Sequence, residues 1–121
     1  MNQALAVFIG GGFGSLARYS ISFVLQHFPL STSLPVATLL SNVLSTAILG
    51  WLLFRSDLSN ENIWFYLITI GFCGGFSTFS TFSLETFQLL KSGQYVWAVL
   101  NVTISFAFCL SMLFILSKQF K

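Results

Sequence analysis

Long apolar stretches with almost no charge are the feature that most restricts how this chain can fold. Four of them have the length of a bilayer-crossing helix, at 4–27, 36–54, 63–90 and 95–116. Such a helix needs about 20 residues. Only 7% of the residues are charged, against about 25% in soluble proteins, and so short a chain cannot hide this much apolar surface in a core. The sequence predicts an all-α membrane protein with four transmembrane helices in a single domain, 1–121.

The ionisable residues argue against nucleic acid binding and against catalysis. The net charge is +2, and the 5 Lys and Arg residues are scattered along the chain, without the basic stripe that nucleic acid requires. His27 is the only histidine and lies at the end of the first predicted helix. The sequence shows no nucleophile–base constellation, so we predict no enzyme. Cys73 and Cys109 lie in apolar surroundings without CxxC spacing and are expected to be packing residues. The N-terminus has no basic region before its apolar run, which predicts a retained first helix.

The charges outside the predicted helices favour one orientation only weakly. With four crossings, both termini and the 55–62 loop share one side of the membrane. That side carries Arg55, Lys118 and Lys121, and the other side carries Lys91. By the positive-inside rule, this bias allows either an N-terminus inside the cell or insertion in both orientations.

Small residues in the first predicted helix suggest close helix packing. Gly10 and Gly14, with Gly11 and Ser15 beside them, form small-xxx-small spacings, which let helices approach closely in lipid. Four helices are also too few to enclose a pore in one copy. We therefore expect a homo-oligomer, with a dimer as the smallest assembly.

Ionisable and amide side chains inside a span carry a high cost and mostly face a partner or a wet cavity. Arg18 lies about halfway along the first helix, with Ser15 and Ser22 on the same helical face. An arginine near the aqueous mouth of a pore attracts anions. A structural arginine, with no part in transport, is the alternative.

Two further helices carry polar residues at helical spacing. These stripes are Thr38, Asn42 and Ser45 in the second helix, and Asn101, Ser105 and Cys109 in the fourth. Ser and Thr often join helices to each other, so each residue alone has a structural explanation. Two stripes that face each other would line a path through the membrane.

The third helix contains a glycine-rich, polar stretch, "GFCGGFSTFSTFSLE" (71–85). Gly71, Gly74 and Gly75 weaken the helix, and the hydroxyls that follow compete for backbone hydrogen bonds. We predict an unwound stretch at 74–78, near mid-membrane, which is tolerated only inside the protein or along a polar cavity. Its freed carbonyls suit a cation, whereas the N-terminus of the restarted helix favours an anion.

Aromatic rings and hydroxyls follow the predicted break. Phe79, Phe82 and Glu85 fall on one helical face, and they alternate with Ser80, Thr81 and Ser83. A phenylalanine ring has a positive edge, which contacts a small anion without trapping it by a full opposing charge. The pattern favours anion conduction, with simple packing of the aromatic stripe as the alternative.

Three motifs in this order resemble those of the Fluc (CrcB) fluoride channels. They are "GGGFGSLARY" (10–19), "ATLLSN" (37–42) and the longer, more specific "GFCGGFSTFSTFSLE" (71–85). The resemblance covers nearly the whole chain. It implies an antiparallel, dual-topology homodimer in the cell inner membrane, with two fluoride pores and a structural sodium ion at the dimer interface.

The resemblance also implies roles for individual residues. The fluoride pathway would be lined by rings and polar side chains, namely Phe79, Phe82, Asn42, Ser80, Thr81, Ser83 and Glu85. We add Ser105, from the polar stripe of the fourth helix, to this pathway. Arg18 matches the vestibule arginine, and the backbone carbonyls of Gly74 and Ser77 match the sodium ligands. The chain departs from the family at Asn101, where some relatives carry a tyrosine, and at Ala37 and Ser45, which replace glycines.

The function predicted from these features is passive, fluoride-selective export from the cytoplasm, driven by the ion gradient and the membrane potential. The alternative is a small proton-coupled exporter of cationic drugs, which is also a four-helix dimer. That exporter needs an intramembrane carboxylate, for which Glu85 is the candidate. A third class, a non-transporting assembly subunit, would produce no ion flux at all.

Overall fold

The computed structural model describes residues 1–30, 32–55, 58 and 61–119. Residues 56–57 and 59–60 of the predicted loop, and Lys121, lie outside the described residues. Within the described ranges the chain contains helices and no strands. The helices are α1 (Gln3–Leu25), α2 (Val36–Arg55), a π-helical segment (Phe65–Phe72), α3 (Cys73–Phe76), α4 (Phe79–Lys91) and α5 (Tyr95–Gln119).

Four helical spans are long and apolar enough to cross a membrane. They are Gln3–Leu25, Val36–Arg55, Phe65–Lys91 and Tyr95–Gln119. The third span joins the π-helical segment, α3 and α4. The prediction of an all-α protein with four membrane-crossing helices is confirmed, and the chain is a multi-pass membrane protein.

Local hydrogen bonds and one glycine set the helix ends. The Asn2 side chain accepts a hydrogen bond of 2.8 Å from the Ala4 backbone N–H and caps α1, as expected of an N-cap asparagine. After α4, Gly93 adopts a φ of 76°. This left-handed conformation is accessible to glycine, and it turns the chain from α4 into α5.

The distribution of buried residues is the reverse of that in a water-soluble protein. Large apolar side chains lie on the outside, such as Phe8 at 77% exposed and Val96 at 70%. Small polar side chains are buried between the helices, namely Thr38, Ser41, Ser45, Asn101 and Ser105. In lipid, apolar side chains gain nothing by leaving the surface, and helices associate through close packing and hydrogen bonds.

Glycines bring α1 into direct backbone contact with the third span. A Cβ atom on Gly10 would collide with the Leu67 carbonyl oxygen, and one on Gly14 with the Phe72 carbonyl oxygen. On the third span, Gly71 and Gly75 face α1 in the same way, because a Cβ atom added to either would meet the α1 backbone. Both helices therefore need glycine at this crossing, because any side chain would push the two backbones apart.

The close helix packing expected at Gly10 and Gly14 is present, and it lies within one chain. Both glycines are buried against the third span of their own chain. These contacts therefore do not bear on the number of copies, and the homo-oligomer stays a prediction.

The third span is interrupted over a shorter stretch than the predicted 74–78. Gly74, Gly75 and Phe76 are helical, and the Ser77 N–H still bonds to the Cys73 carbonyl at 3.0 Å. Only Ser77 (φ −79°, ψ 158°) and Thr78 (φ −152°, ψ 122°) have extended backbone. The glycines remain helical because Gly75 is packed against the α1 backbone, so the weak helix propensity of glycine does not decide the conformation here.

The glycine crossing predicts unequal effects of alanine in α1. Gly10→Ala should destabilise the protein by about 1–3 kcal/mol through overpacking. Gly12→Ala is the matched control, since an added Cβ there meets nothing within 4 Å, and it should be neutral or slightly stabilising. Thermal unfolding in detergent, followed by tryptophan fluorescence, compares the two, and equal midpoints would contradict the crossing described here.

Candidate functional site

The extended residue Thr78 is held by the side chain of Asn42 on α2. The Asn42 Oδ1 atom accepts a hydrogen bond of 2.8 Å from the Thr78 N–H, and Asn42 Nδ2 donates to the Thr78 carbonyl at 3.4 Å. A carboxamide offers one acceptor and a donor side by side, as a neighbouring peptide group would. Asn42 thus replaces helical hydrogen bonds that Thr78 cannot make.

Thr78 also begins the restarted helix, α4. Its hydroxyl accepts a hydrogen bond of 3.2 Å from the Thr81 N–H, which is the usual role of an N-cap threonine. The hydroxyls of Ser80 and Thr81 each lie 3.2 Å from the same Thr78 oxygen. Both residues, predicted for the ion pathway, are therefore part of the cap of α4.

The interruption leaves several backbone carbonyls without donors. Among the described residues, the carbonyl oxygens of 74–77 accept no hydrogen bond: the Thr78 N–H that would bond to Gly74 bonds to Asn42 instead, and the extended backbone of Ser77 and Thr78 interrupts the helical pattern for the other three. The preceding carbonyl, of Cys73, accepts from the hydroxyls of Ser45 and Ser77, each at 2.8 Å. Carbonyl oxygens without donors are suitable ligands for a hard cation, and Gly74 and Ser77 lie within this set.

A groove lies beside the interruption, between α2, α4 and α5. Its volume is about 240 Å³, and we call it the first groove; its lining residues are Asn42, Thr46, Ser77, Thr78, Phe79, Phe82, Ser105, Phe106 and Cys109. The polar stripes of the second and fourth helices, represented by Asn42 and Ser105, therefore border one space. The structure brings these two residues together with Phe79 and Phe82.

The two phenylalanines of the first groove differ in exposure. Phe79 is 75% exposed, whereas Phe82 is 8% exposed. Their ring centroids lie 5.9 Å apart at an interplanar angle of 38°. The Phe82 ring also meets Phe106 of α5 edge-on, at 6.4 Å and 75°. Phe82 is thus fixed by its neighbours, and Phe79 projects from the chain.

Sequence analysis did not name Thr46 or Phe106, and it placed Cys109 in the polar stripe of the fourth helix without assigning it to the ion path. Thr46 follows Asn42 by one helical turn, so continuing the stripe of the second helix would have found it. Phe106 carried no signal, because it is one aromatic residue among many on an apolar helix.

Arg18 lies in a second groove, on the α1 side of the interruption. This groove has a volume of about 570 Å³, and its lining residues are Ser15, Arg18, Gly74, Gly75, Ser77, Thr78, Phe79 and Ser80. The buried Arg18 Nε atom has no hydrogen-bond partner among the described residues. The predicted neighbour Ser15 shares this groove with Arg18, and Ser22 does not line it.

Glu85 lies away from both of these grooves. Its Oε1 atom accepts a hydrogen bond of 2.7 Å from the Thr38 hydroxyl of α2, while its buried Oε2 atom has no partner in the described part of the chain. It borders a third groove of about 230 Å³, lined by Ser33, Pro35, Glu85, Gln88, Leu89, Ser92 and Gln94. Ser83 is exposed and donates to the Phe79 carbonyl at 2.9 Å. The predicted polar residues of α4 therefore do not share one groove within a single chain.

Comparison with known proteins relates this arrangement to a family. Residues 5–116 match the family described as "CrcB-like protein, Camphor Resistance (CrcB)". The chain belongs to the CrcB-like family. The resemblance inferred from the three sequence motifs is thereby confirmed.

Relatives of this CrcB-like chain include proteins named "Fluoride-specific ion channel FluC". The protein of Serratia proteamaculans (strain 568) is 43% identical over 114 residues, which cover 93% of this chain and 88% of the relative. Those of Salmonella arizonae and Salmonella newport are each 47% identical over 105 residues, covering 84% of this chain and 80% of the relative. The family match over residues 5–116 includes the first groove and the interruption.

The pairing of Asn42 with Thr78 predicts the consequence of removing the carboxamide. Asn42→Ala leaves the Thr78 N–H without its acceptor and should cost about 1–3 kcal/mol of stability. Ser41→Ala is the control on the same helix, because the Ser41 hydroxyl bonds only to the Ala37 carbonyl of its own helix. Thermal unfolding in detergent should separate the two variants, and an Asn42→Ala protein as stable as Ser41→Ala would refute the pairing.

Proposed function

We propose that this protein is a passive, fluoride-selective ion channel that releases fluoride from the cytoplasm across the cell inner membrane. Membership of the CrcB-like family and the names of its relatives support this function. The relatives are named ion channels, so the family is one of transporters and not of enzymes. The first groove supplies the chemistry that such a channel needs.

The observation that carries the proposal is a hydrogen-bond donor left unused in the first groove. The Ser105 side chain is 7% exposed, and within the described part of the chain its hydroxyl makes no hydrogen bond. Thr46 and Thr103, by contrast, donate to carbonyls of their own helices. The Ser105 hydroxyl borders the first groove, so it can donate to a small anion there without giving up a hydrogen bond within the protein.

Asn42 offers a second donor to the same space. Its Nδ2–H bond to the Thr78 carbonyl is long, at 3.4 Å, so this amide can also turn toward an anion. The positive edges of Phe79 and Phe82 add weak attraction. Such a set replaces water around a small anion without holding it by a full charge, which meets the need for binding that still permits release.

The channel is proposed to work as an antiparallel dimer with two pores. The first groove opens at the surface of one copy, and Phe79 projects there at 75% exposed. A second copy covering this side would turn each open groove into a closed path. Its α4 would add the hydroxyls that line no common groove within one chain, such as Ser83. Arg18, in the second groove, would attract anions to the mouth.

A sodium ion is proposed at the dimer interface, bound by the carbonyl oxygens of Gly74 and Ser77 from both copies. The donor set fits a hard cation, because the carbonyls at 74–77 accept no hydrogen bond among the described residues. No side chain approaches Gly74 within 4 Å of an added Cβ, which leaves room beside its backbone. When bound, the ion would neutralise the partial negative charge of these carbonyls.

The alternative of an exporter of cationic drugs depends on Glu85 alone. That carboxyl accepts a hydrogen bond from Thr38 and borders the third groove, away from the aromatic rings. The hydrogen-bond donors of the first groove, Ser105 and Asn42, suit an anion and not a cationic drug.

Fluoride release from liposomes tests the function directly. Purified protein in vesicles loaded with potassium fluoride and potassium chloride, with a potassium ionophore added so that K⁺ leaves with the anion, should release fluoride, measured with an ion-selective electrode, and retain chloride. Vesicles without protein are the control. Equal release of both anions would refute the selectivity, and no release would refute the channel.

The ring of Phe82 has a predicted part in this flux. Phe82→Ile removes the aromatic edge from the first groove and should slow fluoride efflux by about tenfold or more, equal to about 1.4 kcal/mol in the barrier. Phe108→Ile on α5 is the matched control, because Phe108 is 58% exposed and lies outside the first groove. Efflux from the Phe82→Ile protein at the rate of the control would remove this ring from the mechanism.

Sodium should stabilise the protein if it occupies the proposed site. Protein exchanged into potassium buffer should unfold at a lower temperature than protein in sodium at the same ionic strength. A ligand present at about 100 times its Kd contributes about 2.7 kcal/mol. Unfolding midpoints that are the same in both salts would count against a sodium site.

A further inference from the structure

Asn101 is the most enclosed amide side chain of the described chain. It is 1% exposed and is among the largest side chains that are fully buried. A carboxamide in such a place must be hydrogen-bonded to offset its desolvation. The hydrogen-bond partner of Asn101 therefore indicates its role.

Two successive hydrogen bonds lead from Asn101 to the backbone of Phe82. Asn101 Nδ2 on α5 donates to the Thr86 hydroxyl on α4 at 2.9 Å, and that hydroxyl donates to the Phe82 carbonyl at 2.8 Å. We call this pair the Asn101 relay. A hydroxyl that both accepts and donates polarises its two bonds in the same direction, which strengthens each of them.

The Asn101 relay lies one helical turn from the first groove on both helices. Thr86 follows Phe82 by four residues on α4, and Asn101 precedes Ser105 by four residues on α5. Four residues of α-helix rise about 6 Å. Phe82 and Ser105, which both line the first groove, therefore each lie one turn from this hydrogen bond.

α4 depends on lateral contacts of this kind more than an uninterrupted helix would. It is separated from α3 by the extended residues Ser77 and Thr78, so no continuous helix holds it in register. Next to Thr86, the Glu85 Oε1 atom accepts a hydrogen bond of 2.7 Å from the Thr38 hydroxyl of α2. Two neighbouring residues of α4 are thus held by two different helices, α2 and α5.

We propose that Asn101 is a positioning residue for ion passage, which acts through Thr86 to hold the Phe82 ring beside Ser105 and Phe106. This inference rests on the proposed channel function. It assigns a task to a residue that does not line the first groove. The relay requires a donor at position 101 and a hydroxyl at position 86, and both requirements can be tested.

Efflux from sparsely reconstituted vesicles separates positioning from folding. The fraction of vesicles that release fluoride reports how much protein is folded and inserted, whereas the rate constant within those vesicles reports passage through one channel. If Asn101 were merely structural, its replacement would lower the fraction of vesicles that release fluoride and leave the rate constant within those vesicles unchanged.

Removal of either member of the relay should lower the rate constant. Asn101→Leu and Thr86→Val, which keep the side-chain size, should each slow efflux by about five- to tenfold, the effect of one hydrogen bond. Thr86→Ser keeps the hydroxyl and should stay within about twofold of wild type. Thr103→Val is the control on α5, because the exposed Thr103 bonds only to its own helix, at the Val99 carbonyl.

The double variant decides whether Asn101 acts through Thr86. Asn101→Leu combined with Thr86→Val should be no slower than the slower single variant, since both changes break one relay. Two results would overturn the inference while leaving the channel function in place. One is a double variant whose slowing equals the product of the two single slowings, and the other is an Asn101→Leu rate equal to wild type. A wild-type protein without flux would overturn both. Should Asn101→Leu fail to fold, equal rates for Thr86→Val and Thr86→Ser would still overturn the inference.

Discussion

A peptide group that leaves a helix inside a bilayer must find another hydrogen-bond partner, and the rest of this structure depends on how Thr78 does so. No water is available there, and each unsatisfied group costs several kcal/mol. The Asn42 carboxamide supplies both an acceptor and a donor to Thr78. This pairing ties α2 to the interruption, leaves the Gly74 carbonyl without its helical donor, and places Asn42 at the wall of the first groove. The interruption and the first groove therefore share one side chain, Asn42.

The glycine crossing between α1 and the third span confines the interruption to two residues. Gly75 packs against the backbone at Gly11, which keeps the preceding residues helical in spite of their composition. The extended conformation is left to Ser77 and Thr78, just beyond the crossing. Lateral hydrogen bonds then hold α4 on the far side, so the position of the rings is determined by packing on one side and by polar contacts on the other.

Sequence patterns grouped four residues that line one groove, but they could not place the other predicted residues. Asn42, Phe79, Phe82 and Ser105 were predicted for the fluoride pathway and all line the first groove; their part in ion passage stays a prediction. Hydroxyls alternate along α4 in the sequence, but each residue points about 100° from the last around a helix, so neighbours enter different environments. Glu85, predicted on the same face as Phe82, lies nearly one turn farther along α4, where it borders the third groove. Spacing gives the face of a helix, and only the neighbouring helices show what that face meets.

The sequence by itself determined the membrane class, the four spans, the polar stripes of α2 and α5, and the family, because hydropathy and short motifs are properties of local residues. The tertiary structure decided which helix the Gly10 and Gly14 face contacts, how far the interruption extends, and which partner Asn101 has. Each of these depends on side chains far apart in the chain, such as Asn101 and Thr86, whose meeting follows from helix packing. In lipid, where apolar burial does not select partners, close backbone contacts and hydrogen bonds make that selection.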